Sequence, residues 1–435
     1  MTERDITLTK ELIDFISKSP VSYHVIHNAV SLLEQAGYER FDLQNGKLCP
    51  GEKRYITRNG SSLIAFQLPD QKPSGFMITA SHSDSPLFKL KNNFELNVND
   101  KYCRLNTEVY GGGIFSSWFD RPLSVAGRLI ADIDNCLQVI PVTLEKDLCI
   151  IPNTCIHFNR EINSGYKYNP SVDTLPLYGS WQNHPSLLNL LADSAGIPEQ
   201  SIISYDLYVY NRMKGIIFGA NDEFFAAPRI DDQQCAFSTL KALLLSQCHS
   251  SVPVCAIFDN EEVGSATKQG AASDLLRDTL EAIANLYSKK LSSLLPSSFM
   301  LSCDNAHAMH PNHPELTDAK NVPYMNEGIV IKHNANQKYT TDAVSEALFK
   351  TICSKVSVPI QHFSNRSDLP GGSTLGSISN TRVSLNTIDI GLAQLAMHSS
   401  YETAGTMDTA YMIDACQAFF ESSIQFDGDR IYQLS

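Results

Sequence analysis

Asp259-Asn260-Glu261-Glu262-Val263-Gly264-Ser265 comes directly after the apolar run Val252-Pro253-Val254-Cys255-Ala256-Ile257-Phe258. This run is rich in β-branched and aromatic residues and is short enough to form one buried strand. Two adjacent glutamates at the end of such a strand repel each other and resist the loss of water, so a cation is expected to hold them. One glutamate would bind a metal ion while its neighbour acts as general base on a water molecule that the metal activates. The alternative is a solvated pair at a helix start, where negative charge is favoured.

A second apolar run, Phe76-Met77-Ile78-Thr79-Ala80, also predicts a buried strand and leads into Ser81-His82-Ser83-Asp84-Ser85-Pro86. His82 can bind a metal through one ring nitrogen while Asp84 holds the imidazole in the required tautomer. The alternative is that His82 makes only structural hydrogen bonds, as isolated histidines after strands commonly do. The two runs together predict ligands at the ends of two separate strands.

Three further residues fit the same pattern. Asp231, in the pair Asp231-Asp232 ahead of a helical pattern, either bridges two metal ions or caps the helix. Asp304 follows the apolar run 298–303, and His398 follows the run 387–392. Open α/β sheets place ligands at the carboxyl ends of their strands, so all these side chains are expected to converge. Two histidines and three carboxylates, one of them bridging, suit two divalent metal ions about 3.5–4 Å apart.

Composition restricts the class of protein. The chain has 435 residues, 43% hydrophobic and 19% charged, which is enough to bury a large core in two or three domains. Its formal net charge of -13 argues against nucleic acid or an anionic membrane as partner, because both require basic patches. No secretory signal and no membrane-spanning run is recognised, so the expected location is cytoplasmic. The 11 cysteines lack any Cys-x-x-Cys spacing and predict buried reduced thiols rather than disulfides or a thiolate zinc site.

Residues 92–224 differ in pattern from the rest of the chain. Short alternating runs, such as 123–130 and 206–210, predict antiparallel strands with one solvated face, together with one helix at 186–196. We therefore expect a β-rich domain inserted between two segments of one α/β domain, residues 1–91 and 225–435. In that second segment, residues 273–294 predict one long helix.

Other histidines and one lysine are candidates on weaker grounds. His157 alternates with apolar neighbours and is expected in a core or an interface. His307, His310 and His313 resemble a metal-binding cluster, but nearby prolines interrupt any helical face, so loop positions are expected for most of them. Lys332 is either a solvated strand end or a fixed positive charge for a substrate carboxylate.

Four motifs occur together along the chain. They are Trp-Phe-Asp-Arg at 118–121, Asp-Asn-Glu-Glu-Val-Gly-Ser at 259–265, Ala-His-Ala-Met-His-Pro-Asn at 306–312 and Gln-Leu-Ala-Met-His-Ser at 394–399. In these motifs and their order, the chain resembles the aspartyl aminopeptidases, family 18 of the metallopeptidases. The resemblance implies a mixed-sheet zinc-peptidase α/β/α sandwich with an inserted β-rich dimerisation domain. It also implies two zinc ions and dimers assembled into a tetrahedral dodecamer.

The same resemblance implies a role for each candidate residue. Asp231 would bridge the two metals, with His82 and Asp304 completing one site and Glu262 and His398 the other. Glu261 would be the general base, and Asp84 would orient His82. His157 would enter the active site of a neighbouring subunit, which replaces the expectation of a core position, while His307, Lys332 and Tyr339 would contact substrate. Departures from the family pattern are small, and they include Ser83 where Thr is common and Asp232 where Asn is common.

The predicted function is a zinc-dependent aminopeptidase that releases N-terminal residues, Asp or Glu in particular, from peptides. Two alternatives are a di-metal amidohydrolase or deacylase on the same scaffold and an inactive assembly protein. An inactive protein has no physical reason to keep five buried polar ligands, which cost stability when they are unpaired.

Overall fold

The computed structural model describes residues 1–369, 371–428 and 430–435. The helices are α1 (Glu3–Lys18), α2 (Ser22–Gln35), α3 (Leu187–Ala195), α4 (Ile230–Leu245), α5 (Leu275–Leu286), α6 (Leu291–Leu294), α7 (Ala343–Lys355), α8 (Leu375–Asn380) and α9 (Asp408–Phe420). The strands are β1 (Glu39–Arg40), β2 (Lys53–Arg58), β3 (Ser62–Gln67), β4 (Phe76–His82), β5 (Leu87–Val98), β6 (Tyr102–Tyr110), β7 (Leu123–Ile133), β8 (Cys136–Thr143), β9 (Leu177–Ser180), β10 (Ile202–Asn211), β11 (Ile216–Phe218), β12 (Phe224–Ala227), β13 (Val252–Phe258), β14 (Phe299–Cys303), β15 (Ala306–His307), β16 (Ile329–His333), β17 (Ile360–Ser364), β18 (Asn386–Gly391), β19 (Ala393–Leu395), β20 (Glu402–Gly405), β21 (Ile424–Asp427) and β22 (Ile431–Leu434). Among the described residues, none of the helices has both the length and the apolar character that a membrane crossing requires.

The largest sheet carries the strands that the two apolar runs predict. Within the described residues it has nine strands in the order β1-β2-β3-β13-β4-β14-β18-β16-β17. β13 and β14 both run parallel to β4 and flank it, while β3 and β16 pair antiparallel with their neighbours β13 and β18. The sheet is therefore mixed, and the carboxyl ends of β4, β13 and β14 lie side by side at one edge.

Helices cover both faces of this sheet. Alternate residues of a strand point to opposite faces, and β13 shows the consequence. Its Val254, Ala256 and Phe258 pack in the core that includes α5, whereas Cys255 and Ile257 pack in the core that includes α2, α4, α7 and α9. This near-continuous apolar strand is buried along its whole length, as expected for a strand that is covered on two sides. The predicted α/β class with a mixed sheet is confirmed.

A second, antiparallel sheet is formed by residues 87–211. Its strand order in the described residues is β8-β7-β10-β5-β6-β9. α3 packs with it in a separate hydrophobic core that contains Trp118 and Phe88. The predicted antiparallel strands of this part of the chain are confirmed, whereas the exact domain limits, 1–91, 92–224 and 225–435, stay a prediction.

A smaller sheet of order β11-β12-β20-β19-β15 lies next to the large one in the described part of the chain. The loop between β19 and β20 carries His398. Since β15 follows β14 closely along the chain, this small sheet brings that loop toward the edge where the three parallel strands end.

The prediction of a single helix over 273–294 is wrong. α5 ends at Leu286, and a second short helix, α6, begins at Leu291. Ser288 between them has a left-handed backbone (φ 54°), which no α-helix can contain. The Tyr287 hydroxyl donates a hydrogen bond to the backbone oxygen of Pro69 at 2.5 Å, a contact between distant parts of the chain.

Candidate metal centre

Five predicted ligands come together where the parallel strands end. His82 is the last residue of β4, Glu262 follows β13 and Asp304 follows β14. The pairing of Phe258 with His82 places the ends of β4 and β13 at the same level. Asp231 lies at the start of α4, where its own backbone is not helical (φ -77°, ψ 111°) and the helix proper begins further on.

Asp231 is the residue common to two groups of ligand atoms. Its Oδ1 lies 3.4 Å from His82 Nε2, and its Oδ2 lies 3.4 Å from His398 Nε2. On the first side, Asp304 Oδ1 is 3.9 Å from His82 Nε2. On the second side, Glu262 Oε2 is 3.4 Å from His398 Nε2. The first group also contains Asp232, and in each group one ligand atom per residue lies within 4.8 Å of the others.

These residues fit a pair of zinc ions on physical grounds. Glu262 Oε1 and Asp231 Oδ1 are buried and accept no hydrogen bond from the described residues. A buried carboxylate oxygen without a partner is costly unless a cation lies against it. Imidazole nitrogens and carboxylate oxygens are ligands that zinc takes at about 2.0–2.2 Å, and the ligand atoms here are close enough to converge on such a centre.

The electrostatics of the site favour positive charge. Burial raises the pKa of the Glu262 carboxyl well above its ordinary value, and the negative charge of Asp231 raises it further. Burial alone would lower the pKa of His398, but its hydrogen bond to Asp231 and the charge of Glu262 outweigh burial and raise that pKa to about 10. Raised pKa values at several groups show that the site holds an excess of buried negative charge. Bound divalent cations can neutralise this charge in place of protons.

Asp84 supports the centre through the backbone that carries both glutamates. Its Oδ1 accepts a hydrogen bond from the Glu261 N–H at 3.1 Å, and its Oδ2 accepts one from the Glu262 N–H at 3.2 Å. The Tyr110 hydroxyl donates to the same Oδ2 at 2.7 Å. His82 Nδ1 lies 3.0 Å from the Asp84 backbone oxygen and 3.4 Å from its Oδ1. One buried carboxylate thus fixes a histidine ring and the turn that follows β13.

Glu402 is a residue of the site that the sequence interpretation missed. Its Oε2 accepts a hydrogen bond from the Asp231 N–H at 3.1 Å, and its Oε1 accepts one from the His398 N–H at 2.7 Å. The side chain is almost completely buried. The sequence did contain one signal for Glu402. It is the single aspartate, glutamate, lysine or arginine between residues 390 and 407, so an isolated charge in an otherwise uncharged segment pointed to a specific role.

Lys332 and Tyr339 lie beside the centre, and both are buried. Lys332 Nζ is 3.4 Å from Asp304 Oδ2 and donates a hydrogen bond to the backbone oxygen of Asn305 at 2.8 Å. The same ammonium group is 5.7 Å from the centroid of the Tyr339 ring. Lys332 is therefore not a solvated strand end.

His307 is exposed, and its ring centroid is 5.9 Å from that of Phe363.

His157 is not brought to the centre of its own chain. It lies in an exposed turn, and the neighbouring Phe158 is 88% exposed. The core alternative for His157 is therefore wrong for the single chain, because the apolar residues that alternate with it are not packed, whereas the interface alternative stays a prediction. His310 and His313 have ring centroids 5.3 Å apart in an exposed loop, and they are not among the metal-type groups found in the described residues.

The sequence profile of the Aminopeptidase I zinc metalloprotease family (M18) matches residues 15–420. The chain belongs to the M18 aminopeptidase family. A probable M18 family aminopeptidase 2 of Clostridium acetobutylicum is 41% identical over 96% of this chain and 99% of the relative. A probable aspartyl aminopeptidase of Ricinus communis is 33% identical over 97% of this chain and 96% of the relative.

Solved structures of M18 proteins share the fold. The chain matches the structure of Ape4 in its complex with Nbr1 with a TM-score of 0.93, at 33% identity over 97% of this chain and 87% of the other. It matches yeast aminopeptidase 1 with a TM-score of 0.86, at 28% identity over 96% and 97% of the two chains. The chain is thus a zinc metalloprotease and an aminopeptidase of this family, and the family resemblance of its motifs is confirmed.

Proposed function

We propose that this M18 aminopeptidase uses two zinc ions, with Asp231 bridging them, to release acidic N-terminal residues from peptides. His82 and Asp304 would complete one zinc site, and Glu262 and His398 the other. The observation that carries the proposal is the position of Asp231, whose two oxygens each lie 3.4 Å from a different histidine. A bridging carboxylate needs both of its oxygens directed to separate sites, and Asp231 meets that requirement.

Glu261 is the proposed general base. When bound, the zinc ions polarise the carbonyl of the scissile peptide bond and make a water molecule more acidic. Glu261 takes the proton of that attacking water and passes it to the departing amine. With no metal bound, burial raises the pKa of the Glu261 carboxyl to about 8, and the charges of Asp304 and Asp84 add to the effect. The backbone N–H of Glu261 donates a hydrogen bond to Asp84, which holds Glu261 beside the proposed ligand Glu262. Glu261 itself is not a proposed ligand.

The preference for acidic residues rests on Lys332. Its ammonium group is buried between Asp304 and Tyr339. Cations bound at Asp304 would take over the neutralisation of that carboxylate, and the lysine would then be available to a substrate side chain of negative charge. The Ricinus communis relative described as a probable aspartyl aminopeptidase agrees with this choice of substrate.

A panel of chromogenic aminoacyl substrates tests the function. Metal-reconstituted protein is expected to cleave Asp and Glu derivatives fastest, to reject the N-acetylated forms, and to lose activity in chelator. Faster cleavage of apolar residues would keep the aminopeptidase and remove the proposed role of Lys332 in specificity. Equal cleavage of acetylated substrates would instead indicate a di-metal amidohydrolase that requires no free α-amine, and no cleavage by protein with two bound metals would indicate a deacylase or an assembly protein.

We infer that the chain assembles into dimers and then into dodecamers. The antiparallel sheet of residues 87–211 exposes Leu137 and Val139 on β8 and Ile203 on β10, apolar side chains that a dimer interface would cover. A structural neighbour, mApe1 of S. cerevisiae, is described as a dodecamer.

The proposed location is the cytoplasm. The cysteines are free thiols, which suits that reducing compartment.

His157 is proposed to act in the active site of a neighbouring subunit, and mixed oligomers test this. The His157→Ala and Glu261→Gln variants are each expected to be almost inactive. In dimers containing one chain of each, one of the two sites has both residues intact, so a fully randomised equal mixture regains about a quarter of wild-type activity. The measurement is the hydrolysis rate after co-expression, compared with the rate of separately prepared variants mixed without subunit exchange. No recovery after co-expression would exclude a contribution from the neighbouring subunit.

A further inference from the structure

Glu95, Cys103 and His184 form a second kind of cluster, in the antiparallel sheet and apart from the proposed catalytic centre. β5 pairs with β6 so that Glu95 is opposite Leu105 and Asn97 is opposite Cys103. Glu95 and Cys103 are therefore diagonal neighbours on one face of the sheet. His184 comes from the segment between β9 and α3, and one ligand atom from each of the three residues lies within 4.8 Å of the others.

The ring of His184 is held in a defined orientation. Its Nδ1 lies 3.1 Å from the backbone oxygen of Ser180 and 3.0 Å from that of Trp181. Both neighbours can only accept, so Nδ1 carries the hydrogen. The ring also packs against Trp181 and Tyr178, with centroid distances of 5.5 Å to each. Gly179 leaves room for it, because a Cβ there would lie 3.1 Å from His184 Cβ.

This orientation creates a need for a cation at the other ring nitrogen. In the neutral ring Nε2 is an acceptor, and it lies 3.2 Å from Glu95 Oε2, which is also an acceptor. A proton on Nε2 would relieve the repulsion with one positive charge. A divalent metal would relieve it as well, and it would also bind the sulfur of the fully buried Cys103 as a thiolate.

We propose that Glu95, Cys103 and His184 form a third zinc site, structural in role and distinct from the proposed catalytic pair. Sulfur, nitrogen and carboxylate oxygen are the donors of zinc, and tetrahedral sites place such atoms about 3.3–3.6 Å apart. A ring nitrogen that faces the metal while the other donates to a backbone carbonyl is the usual arrangement of a zinc-binding histidine. Two negative ligands balance the charge of the ion. Such a metal would tie the segment before α3 to the β5–β6 hairpin.

A second candidate, His333 with Glu346 and His362, is weaker. His333 Nε2 and His362 Nδ1 are 3.2 Å apart and can share one hydrogen, since neither is held by a backbone carbonyl in the contacts described. Lys350 Nζ lies 3.3 Å from Glu346 and already supplies a positive charge. The need for a cation is therefore met there without a metal.

Cobalt substitution tests the site by a property that activity does not report. Cobalt bound to a thiolate absorbs in the near ultraviolet through sulfur-to-metal charge transfer, and the proposed catalytic ligands include no sulfur. We expect the full-length protein to bind about three cobalt ions per chain and to show this band. Cys103→Ser is expected to lose the band and one ion. Glu95→Gln keeps an acceptor for the Leu187 N–H, which Glu95 Oε1 accepts at 2.8 Å, and is expected to weaken this binding about tenfold or more.

Cys235→Ser is the matched control, because Cys235 is also buried but lies beside Asp232 at the candidate metal centre. This variant is expected to keep the band. Two cobalt ions per chain and no thiolate band in the unsubstituted protein would overturn the inference and leave the proposed catalytic pair intact, with Glu95 and His184 then forming an ion pair. A band that Cys235→Ser removes would also overturn it.

Discussion

Replacing Glu261 with Gln is expected to lower kcat by about 10²- to 10⁴-fold and to leave the metal content unchanged. The amide has nearly the same size as the carboxyl group but cannot take a proton from the attacking water. The backbone N–H of residue 261 still donates to Asp84, so the turn after β13 keeps its shape. The measurement is the initial rate of peptide hydrolysis and the metal content of the same sample.

The adjacent residue supplies the control for this prediction. Glu262→Gln changes the same chemical group one position along the chain, but it removes a proposed ligand that lies 3.4 Å from His398. This variant is expected to lose metal as well as activity. Loss of metal in Glu261→Gln, with retention in Glu262→Gln, would mean that the two roles are exchanged.

Replacing Asp231 with Asn is expected to abolish metal binding and activity together. The amide offers one oxygen and one NH2 group, and the NH2 group cannot bind a metal, so the bridge between the two sites is lost. In the unsubstituted protein, free zinc at about 1,000 times Kd would stabilise the fold by roughly 4 kcal/mol. The measurement is thermal unfolding with and without chelator, and the difference in Tm is expected to disappear in Asp231→Asn.

Asp232→Asn is the matched control for Asp231→Asn. Asp232 is equally buried, but its Oδ2 accepts a hydrogen bond from the backbone N–H of His82 at 3.1 Å, a contact that the amide oxygen of Asn can keep. This variant is expected to retain both metals and the effect of chelator on Tm. Two bound metals in Asp231→Asn would rule out the bridging role.

The strand ends at the candidate site could be predicted from sequence because the strands are short, mostly apolar and fully buried. β13 is an uninterrupted apolar run, β4 is apolar up to Ala80 except for Thr79, and both strands are buried along their length. Polar residues at or just after their carboxyl ends, such as His82 and Glu262, are therefore at an edge of the sheet. Asp304 follows a third strand of the same type. The convergence of these residues follows from parallel pairing, which a general rule for α/β sheets supplies.

Other features depend on contacts between distant parts of the chain, and local sequence patterns do not predict such contacts. Glu402 acts through hydrogen bonds to the backbone of Asp231 and His398, and these partners are set by the small sheet and by α4. The break after α5 involves Ser288, whose left-handed backbone is not required by its residue type. His157 alternates with apolar residues in a way that is typical of a strand, yet those residues are exposed in the single chain.

The measurement that most directly tests the di-zinc proposal is anomalous diffraction at the zinc absorption edge from crystals of the zinc-loaded protein. Two peaks are predicted, one on each side of the Asp231 carboxylate, with His82 and Asp304 at one and Glu262 and His398 at the other. A single peak at Asp231, or peaks that only one of its oxygens approaches, would contradict the bridged pair.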